Sequence, residues 1–247
     1  MTVVDNVTMI GGGIMGGGIG QTFLQYGYSV TINEVNEEVI QKTRERIKTG
    51  KYGLDRAVEN GYISSEERAD ALDRLEFVYD DTGEAVKDAD VVIEAVSEDL
   101  SLKGRVFREL DKETTADTPL LSNTSGFPIA SMANAVEDPS RVAGAHFFNP
   151  AQVMNLVEII QTPQTNTEII SLTEELVEDI GKTPVVIQDT PKQYGFVNNR
   201  IYEAMREEAR EVVDEGIATK EEVNLIMREG RNLPIGPLEG GGIGEEY

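Results

Sequence analysis

The feature that most constrains the fold is a glycine-rich turn that joins a short apolar segment to a helix-forming one. Val3 to Ile10 is mostly β-branched and apolar, which predicts a strand. Gly11, Gly13 and Gly16 follow with G-x-G-x-x-G spacing, and the segment after them predicts a helix. In this pattern the first glycine permits a tight turn, the second lets the backbone approach a pyrophosphate, and the third allows close packing of helix and strand. A plain flexible turn is the alternative, but the flanking strand and helix favour a dinucleotide site.

A second predicted strand carries the acid that such a site requires. Tyr28 to Glu34 is a strand-like run that ends in a carboxylate, and Glu34 lies 18 residues beyond Gly16. At about this position an acid accepts hydrogen bonds from the hydroxyls of the adenine ribose. Because a carboxylate there disfavours a 2′-phosphate, we expect NAD in preference to NADP.

Later apolar runs extend the predicted sheet. Leu75 to Tyr79 and Asp90 to Val96 are predicted strands, and the second is apolar enough to be buried on both faces. Doubly wound sheets bind ligands at the carboxyl ends of their strands, so we expect Ala95, Ser97 and Glu98 beside the cofactor.

One further strand ends in a polar loop at the same edge. Pro119 to Ser122 is the predicted strand, and Asn123 to Pro128 is the loop. Its small hydroxyl and amide side chains fit a binding site and ordinary turn chemistry equally well.

The predicted fold is α/β: a Rossmann-like doubly wound sheet with an inserted pair of helices, followed by a small all-α domain. The insertion covers about residues 39–74, which are highly charged and helix-prone. Asp189-Thr190-Pro191 interrupts the pattern, and the segments beyond it are wholly helical. We therefore predict an NAD-binding domain over residues 1–190 and a helical C-terminal domain over 191–247.

The chain has one histidine, His146, in a predicted strand from Arg141 to Phe148. Asn149-Pro150 turns the chain, and a second strand, Asn155 to Ile160, carries Glu158. Two short strands joined by a turn bring positions twelve apart within reach of each other. A buried carboxylate on one ring nitrogen fixes the tautomer and leaves the other nitrogen as a base, which the oxidation of a secondary alcohol needs. A histidine packed in the core is the alternative.

The composition excludes several functional classes. The absence of cysteine excludes thiol nucleophiles, thiolate metal sites and disulfides, and it is compatible with a reducing cytosol. The 45 acidic against 22 basic residues give a formal net charge of -23, which repels nucleic acid and anionic membranes. With no signal-like or membrane-spanning apolar run, we expect a cytoplasmic protein. The acid excess is typical of proteins from a high-salt cytoplasm.

With these residues in view, the chain resembles the L-3-hydroxyacyl-CoA dehydrogenase family from the glycine turn to about Pro237. The motifs that recur in order and spacing are the glycine turn, Val92 to Leu100, Ser122 to Ser125, His146 to Pro150, Val157 to Ile160 and Gly195 to Arg200. Each motif is weak alone, whereas the ordered set is specific. The resemblance implies reversible, NAD-dependent oxidation of (S)-3-hydroxyacyl-CoA to 3-oxoacyl-CoA, as in fatty-acid β-oxidation or 3-hydroxybutyryl-CoA metabolism.

The resemblance also implies roles for individual residues. His146 would act as general base toward the 3-hydroxyl and Glu158 would orient it, while Ser125 and Asn199 would hydrogen-bond the substrate. The residues that match the cofactor contacts of the family are Gly11, Gly13, Ile14, Met15, Gly16, Glu34, Ala95, Glu98, Lys103 and Asn149. An ordinary helix-surface position for Lys103 is the open alternative.

The sequence departs from the family pattern at several points. Glu34 is longer than the usual aspartate, and Gly126 replaces a commonly found second serine. Lys192-Gln193-Tyr194 interrupts a family motif, which bears on the placement of Asn199. The helical domain of the family normally continues well past the position of Pro237, so we expect a shortened domain here. A homodimer is expected, although the missing helices usually help to form its interface.

Two other functions stay open at this stage. One is an NAD-dependent dehydrogenase of another 3-hydroxy acid such as gulonate, whose enzymes resemble the same family and share the histidine and glutamate. Dehydrogenases that use a catalytic lysine fit less well, because His146 and Glu158 already supply that role. The second function is that of a non-catalytic NAD-binding or structural protein. Eye-lens crystallins derived from this fold are an example of such a loss of turnover.

The acid excess leads to a prediction about salt. Repulsion among exposed carboxylates destabilises the compact state, and salt screens that repulsion. We expect the free energy of unfolding, measured by urea denaturation, to be higher in molar than in millimolar KCl. Equal stability at both concentrations would show that the composition is not an adaptation to salt.

Overall fold

The computed structural model describes residues 4–189 and 194–239. The chain divides into two compact units, Met1–Pro191 and Lys192–Tyr247. The residues named in the sequence interpretation that lie outside the described ranges are Val3, Thr190, Pro191, Lys192 and Gln193.

The first unit is built on a sheet of eight strands. In chain order these are β1 (Asn6–Ile10), β2 (Ser29–Glu34), β3 (Leu75–Tyr79), β4 (Val91–Glu94), β5 (Leu120–Ser122), β6 (Val142–Phe147), β7 (Leu156–Gln161) and β8 (Thr183–Gln188). Their order across the sheet is β3-β2-β1-β4-β5-β6-β7-β8, and every neighbouring pair is parallel except β6 and β7. The direction of winding reverses between β1 and β4, where doubly wound sheets bind their ligands. This topology confirms the predicted Rossmann-like class.

Helices connect most of these strands. They are α1 (Ile14–Gln25), α2 (Glu37–Thr49), α3 (Leu54–Glu59), α4 (Ser65–Asp73), α5 (Thr82–Val86), α6 (Leu100–Glu113), α7 (Ile129–Ala133) and α8 (Thr167–Asp179), with a 3-10 turn at Pro139–Arg141. Neither α5 nor α7 was predicted, because five residues are too few for a helical period to be visible. None of the helices in the described ranges is both long and apolar enough to cross a bilayer.

The insertion after β2 holds three helices where a pair was expected. Asn36 caps the first of them with its side chain, and Gly53 is the N-cap of the second. The glycines in this segment therefore mark helix boundaries, which adds a helix to the predicted pair. Ile47, Leu54 and Ala71, one from each helix, are buried in the same cluster as the apolar side of α1. The three helices thus pack on the core of the unit.

The centre of the sheet explains the apolar sequence of its strands. Val91, Val92 and Ile93 of β4 are at most 1% exposed, and Val7 and Met9 of β1 are equally buried. A central parallel strand is covered on both faces, which requires a continuous apolar run. Since β1, β2, β4, β5 and β6 run parallel, the loops that follow them lie along one edge of the sheet.

The described part of the second unit contains α9 (Val197–Asp214) and α10 (Lys220–Arg231). A capping box begins α10, as the sequence of its first turn favours. The buried Asn224 accepts a hydrogen bond from the backbone N–H of Leu238 at 2.8 Å, which ties the segment after α10 back to that helix.

Candidate active site

The turn between β1 and α1 has close contacts that account for its glycines. Gly11 has a φ of 101°, and a Cβ there would lie 2.8 Å from the carbonyl oxygen of Ala95. A Cβ on Gly16 would lie 1.9 Å from the carbonyl oxygen of Gly11. At Gly13 no such obstacle exists, because no neighbouring atom lies within 4 Å of the Cβ position. A ligand can therefore approach the backbone closely at Gly13, as a dinucleotide site requires.

The start of α1 suits an anion. The first hydrogen bond of the helix runs from the N–H of Gly17 to the carbonyl oxygen of Gly13, at 2.9 Å. The amides of Ile14, Met15 and Gly16 precede it, and amides in such positions have no acceptor within the helix. Together with the positive end of the helix dipole they fit the pyrophosphate of a dinucleotide.

Glu34 lies at the carboxyl end of β2 and contacts the same turn. Its Oε2 accepts a hydrogen bond from the N–H of Gly12 at 2.9 Å, and its Oε1 accepts one from the N–H of Asn36 at 3.1 Å. The hydroxyl of Thr43, in α2, donates to the carbonyl oxygen of Gly12. The carboxylate is therefore held at the rim of the glycine turn, where a ribose would meet it. The sequence gives no signal for the contribution of Thr43.

A buried ionic cluster, which the sequence interpretation missed, lies at the carboxyl end of β4. Glu94 and Lys103 are 0% and 1% exposed. The Lys103 Nζ lies 2.8 Å from Oε1 of Glu94 and 3.1 Å from Oε2 of Glu98. Lys103 is therefore not a helix-surface lysine. The available signal was the acid inside the apolar run of β4, because a buried carboxylate needs a compensating partner.

The polar loop after β5 is attached to this cluster. The Ser122 hydroxyl donates to Oε2 of Glu94 at 2.7 Å. The Thr124 hydroxyl and the Ser125 N–H both donate to Oε1 of Glu98, at 2.6 and 3.0 Å. The loop thus has a defined position at the edge of the sheet, beyond ordinary turn chemistry, and Ser125 is half-buried within it.

The antiparallel pairing of β6 and β7 sets His146 directly opposite Glu158. Nδ1 of the ring lies 2.8 Å from Oε2 of the carboxylate, and the two residues are 4% and 3% exposed. The Phe148 ring packs beside the imidazole at 4.8 Å between centroids. The contact expected from the strand–turn–strand pattern is therefore present in the fold.

Asn123 joins the polar loop after β5 (residues 123–128, called the serine loop below) to β6, the strand that carries His146. Its N–H donates to the carbonyl oxygen of Glu94 at 2.8 Å, and its side-chain oxygen accepts from the N–H of Phe147 at 2.8 Å. This side chain fixes the distance between the loop that carries Ser125 and the strand that carries His146.

The segment after the histidine is anchored from two sides. The Asn149-Pro150 peptide is cis, and Asn149 is exposed. Nε2 of Gln152 donates at 3.1 Å to the side chain of Gln21, which is fully buried in α1. Lys182 donates at 2.8 Å to the carbonyl oxygen of residue 154, and burial lowers the pKa of this lysine.

One predicted site residue lies in the other unit. Asn199 is in the first turn of α9 and is 8% exposed. Its predicted role rests on its position in the Gly195 to Arg200 motif. The other predicted residues form three groups in the first unit, around the glycine turn, the serine loop and the histidine.

Comparison with known proteins gives two family matches. Residues 6–190 match the NAD binding domain of 3-hydroxyacyl-CoA dehydrogenase, and residues 195–241 match its C-terminal domain. The first match covers the glycine turn, the serine loop and the histidine pair, and it confirms the predicted cofactor and enzyme class.

The names of individual relatives agree with these two family matches. The chain is 36% identical over 239 residues to the mitochondrial hydroxyacyl-coenzyme A dehydrogenase of Homo sapiens, covering 96% of this chain and 75% of the relative. It is 37% identical over 235 residues to a probable 3-hydroxybutyryl-CoA dehydrogenase of Bacillus subtilis, covering 95% and 79%. The crystal structure of (S)-3-hydroxybutyryl-CoA dehydrogenase from Ralstonia eutropha superposes with a TM-score of 0.89 at 33% identity, covering 95% and 80%. The chain belongs to the 3-hydroxyacyl-CoA dehydrogenase family.

Proposed function

We infer that this chain catalyses the reversible, NAD-dependent oxidation of (S)-3-hydroxyacyl-CoA to 3-oxoacyl-CoA. The observation that carries the inference is the buried hydrogen bond between His146 and Glu158, 2.8 Å long, in a fold whose glycine turn suits a dinucleotide. The names of the relatives, which are 3-hydroxyacyl-CoA and 3-hydroxybutyryl-CoA dehydrogenases, support the substrate class.

The histidine pair supplies the proton transfer. The Glu158 carboxylate accepts the Nδ1–H of His146, a tautomer that follows from the hydrogen-bond partner. Nε2 is then the base that takes the proton of the 3-hydroxyl while hydride leaves C3. NAD, when bound, accepts that hydride. In the reverse direction the protonated ring donates its proton to the 3-oxo oxygen, and the adjacent carboxylate stabilises the imidazolium.

Two polar side chains are proposed to hold the substrate. Ser125 and Asn199 would each hydrogen-bond the substrate, as the resemblance to the family implies. The rigid attachment of the serine loop to Glu98 supports the role of Ser125. The role of Asn199 is supported by its place in the family motif. Positioning of this kind accounts for a large part of the rate of many enzymes.

The glycine turn and its neighbours are proposed to hold the cofactor. The open backbone at Gly13 and the amides at the start of α1 would bind the pyrophosphate, and Glu34 would accept from the ribose hydroxyls. Asn149 would support the nicotinamide end of the site, and Ala95 would lie beside the cofactor. The remaining proposed contacts are Gly11, Ile14, Met15, Gly16, Glu98 and Lys103.

Further proposals concern the domain organisation, the oligomeric state and the cellular environment of the enzyme. We propose an NAD-binding domain over residues 1–190 and a helical domain over 191–247, which the two compact units and the two family matches support. We also propose that the protein is a homodimer and that it works in a salt-rich cytoplasm. The net charge of -23 and the absence of cysteine support the second of these.

The Glu158→Gln substitution tests the histidine pair. Glutamine keeps the shape and an acceptor but loses the charge that stabilises the imidazolium, so kcat for NADH oxidation with acetoacetyl-CoA should fall by about 10²-fold or more. Glu175→Gln, on an exposed position of α8, is the matched control and should leave kcat unchanged. An unaltered kcat in Glu158→Gln would remove this carboxylate from the mechanism.

The Gly13→Ala substitution tests whether the glycine turn binds the pyrophosphate of the cofactor. The new Cβ meets no atom within 4 Å, so the thermal unfolding midpoint should not change. It would occupy the space that the pyrophosphate needs, and the Kd of NADH in a fluorescence titration should rise about tenfold or more.

Gly104→Ala in α6 is the control, because its Cβ would meet only an arginine nitrogen at 3.8 Å. This variant should bind NADH as the natural protein does. If Gly13→Ala binds NADH with unchanged affinity, the pyrophosphate does not lie on this turn.

A further inference from the structure

Gln21 is a fully buried residue of α1 whose side chain joins two other segments to that helix. Its Nε2 donates at 2.6 Å to the carbonyl oxygen of Tyr52, which lies between α2 and α3. Its Oε1 accepts at 3.1 Å from Nε2 of Gln152, which lies in the connection between β6 and β7 (residues 148–155, called the histidine turn below). We propose that Gln21 is a positioning residue for the nicotinamide end of the cofactor, acting through Gln152 and the histidine turn. This inference rests on the cofactor roles proposed above for Asn149 and the glycine turn.

The partners of Gln21 fix the orientation of both amides. A backbone carbonyl oxygen accepts hydrogen bonds and donates none, so the NH2 group of Gln21 must face Tyr52. The amide oxygen of Gln21 then faces Gln152, which must donate to it through its own NH2 group. Because Gln21 is 0% exposed, the loss of a partner would leave a buried polar group unsatisfied, which is costly. The hydrogen-bond chain from Tyr52 to Gln152 is therefore a specific arrangement.

Two glycines at the start of α1 make room for the segments that approach this helix. The G-x-G-x-x-G pattern uses Gly16 and does not require Gly17 or Gly18. A Cβ on Gly17 would lie 2.6 Å from Cγ2 of Thr43 in α2. A Cβ on Gly18 would lie 3.2 Å from the side-chain amide of Gln152. The two additional glycines thus let the insertion and the histidine turn approach the helix of the proposed pyrophosphate site.

The histidine turn is compact around the residue that Gln21 holds. The N–H groups of Val153 and Met154 both donate at 3.0 Å to the carbonyl oxygen of Pro150. Gln152 lies within this hydrogen-bonded turn, so a bond to its side chain restrains the whole turn. Asn149, which immediately precedes Pro150, is exposed. The position of Asn149 relative to α1 therefore depends on the bond that Gln152 makes.

The bond between Gln21 and Gln152 connects the two ends of the proposed cofactor site. The amides of residues 14–16 at the start of α1 are the groups assigned to the pyrophosphate, and Asn149 is the residue assigned to the nicotinamide end. Gln21 belongs to the same helix as those amides, so its bond to Gln152 sets the distance between the two ends. Hydride transfer needs the nicotinamide at a defined place, and small displacements are costly. Loss of the bond should affect the nicotinamide end and leave the adenine end unchanged.

Binding of NADH and of ADP-ribose by Gln152→Met tests this inference. ADP-ribose keeps the adenosine, the pyrophosphate and the second ribose of NADH but lacks the nicotinamide. Methionine has a similar length and no amide, so the bond to Gln21 is lost. In isothermal titration calorimetry the Kd of NADH should rise about tenfold, while the Kd of ADP-ribose stays within about twofold of the natural value. With acetoacetyl-CoA and NADH, kcat should fall by about tenfold or more.

Further variants separate positioning from stability. Gln21→Met removes the same bond from the helix side and should give the same pattern. In its background Gln152→Met should cost no more than about a further twofold, because the two residues act through one bond. Gln41→Met, on an exposed position of α2, is the matched control and should change neither Kd. If Gln21→Met does not fold, because Tyr52 also loses its donor, Gln152→Met decides the question, since Gln152 is only half-buried and lies outside the helices.

Two results would overturn the inference alone. One is an equal rise in the Kd of NADH and of ADP-ribose, which would mean that the bond supports the glycine turn. The other is a Gln152→Met variant with both Kd values and kcat unchanged, which would mean that the bond positions nothing. If the unmodified protein binds neither NADH nor ADP-ribose, the proposed cofactor site is wrong, and the inference falls with it. Binding of both without turnover of acetoacetyl-CoA would contradict the proposed reaction, while the two Kd values would still decide the inference.

Discussion

The hydrogen bond between the His146 ring and the Glu158 carboxylate depends on one reversal of strand direction. All other neighbouring strands in the sheet are parallel, and only β6 and β7 run against each other. In an antiparallel pair, residues directly opposite share one face, so the register alone brings the two side chains together. A slip of one residue would move Glu158 to the other face of the sheet. The burial of the apolar residues on both sides of Glu158 specifies that register. The register in turn determines which carboxylate faces the imidazole.

The parallel part of the sheet provides the rest of the site. The ends of β1, β2, β4 and β5 lie along one edge, and polar side chains after these strands hold one another across it. Glu34 accepts a hydrogen bond from the glycine turn, Glu94 accepts one from Ser122 at the end of β5, and Asn123 joins the following loop to the strand that carries His146. These contacts are mostly between charged or amide side chains and backbone groups, which fixes positions more tightly than side-chain packing alone. The glycine turn that is proposed to bind the cofactor and the pair of His146 and Glu158 therefore lie in one connected framework.

Much of this could be predicted from local sequence. The glycine spacing, the acid at Glu34 and the pairing of positions 146 and 158 follow from patterns within a few dozen residues. The acid inside the apolar run of β4 indicates that a partner is needed, but the sequence does not identify Lys103 as that partner, since a lysine in a charged helix is ordinarily solvated. Its environment is decided by Glu94 and Glu98, and their contacts arise only when β4 and α6 pack together. The insertion holds one helix more than expected for a different reason, because α3, which begins after Gly53, has only 6 residues and is too short to show a helical period.

The most direct test of the account compares substrates with the unmodified protein in molar KCl. Consumption of NADH is followed with acetoacetyl-CoA, with free acetoacetate and with dehydrogulonate at matched concentrations. The account predicts turnover of the CoA ester at about 1–10³ s⁻¹, the ordinary range for enzymes, and little with either free acid. Turnover of dehydrogulonate alone would contradict the substrate class. Tight binding of NADH without turnover of any of the three would contradict the catalytic role of His146 and Glu158.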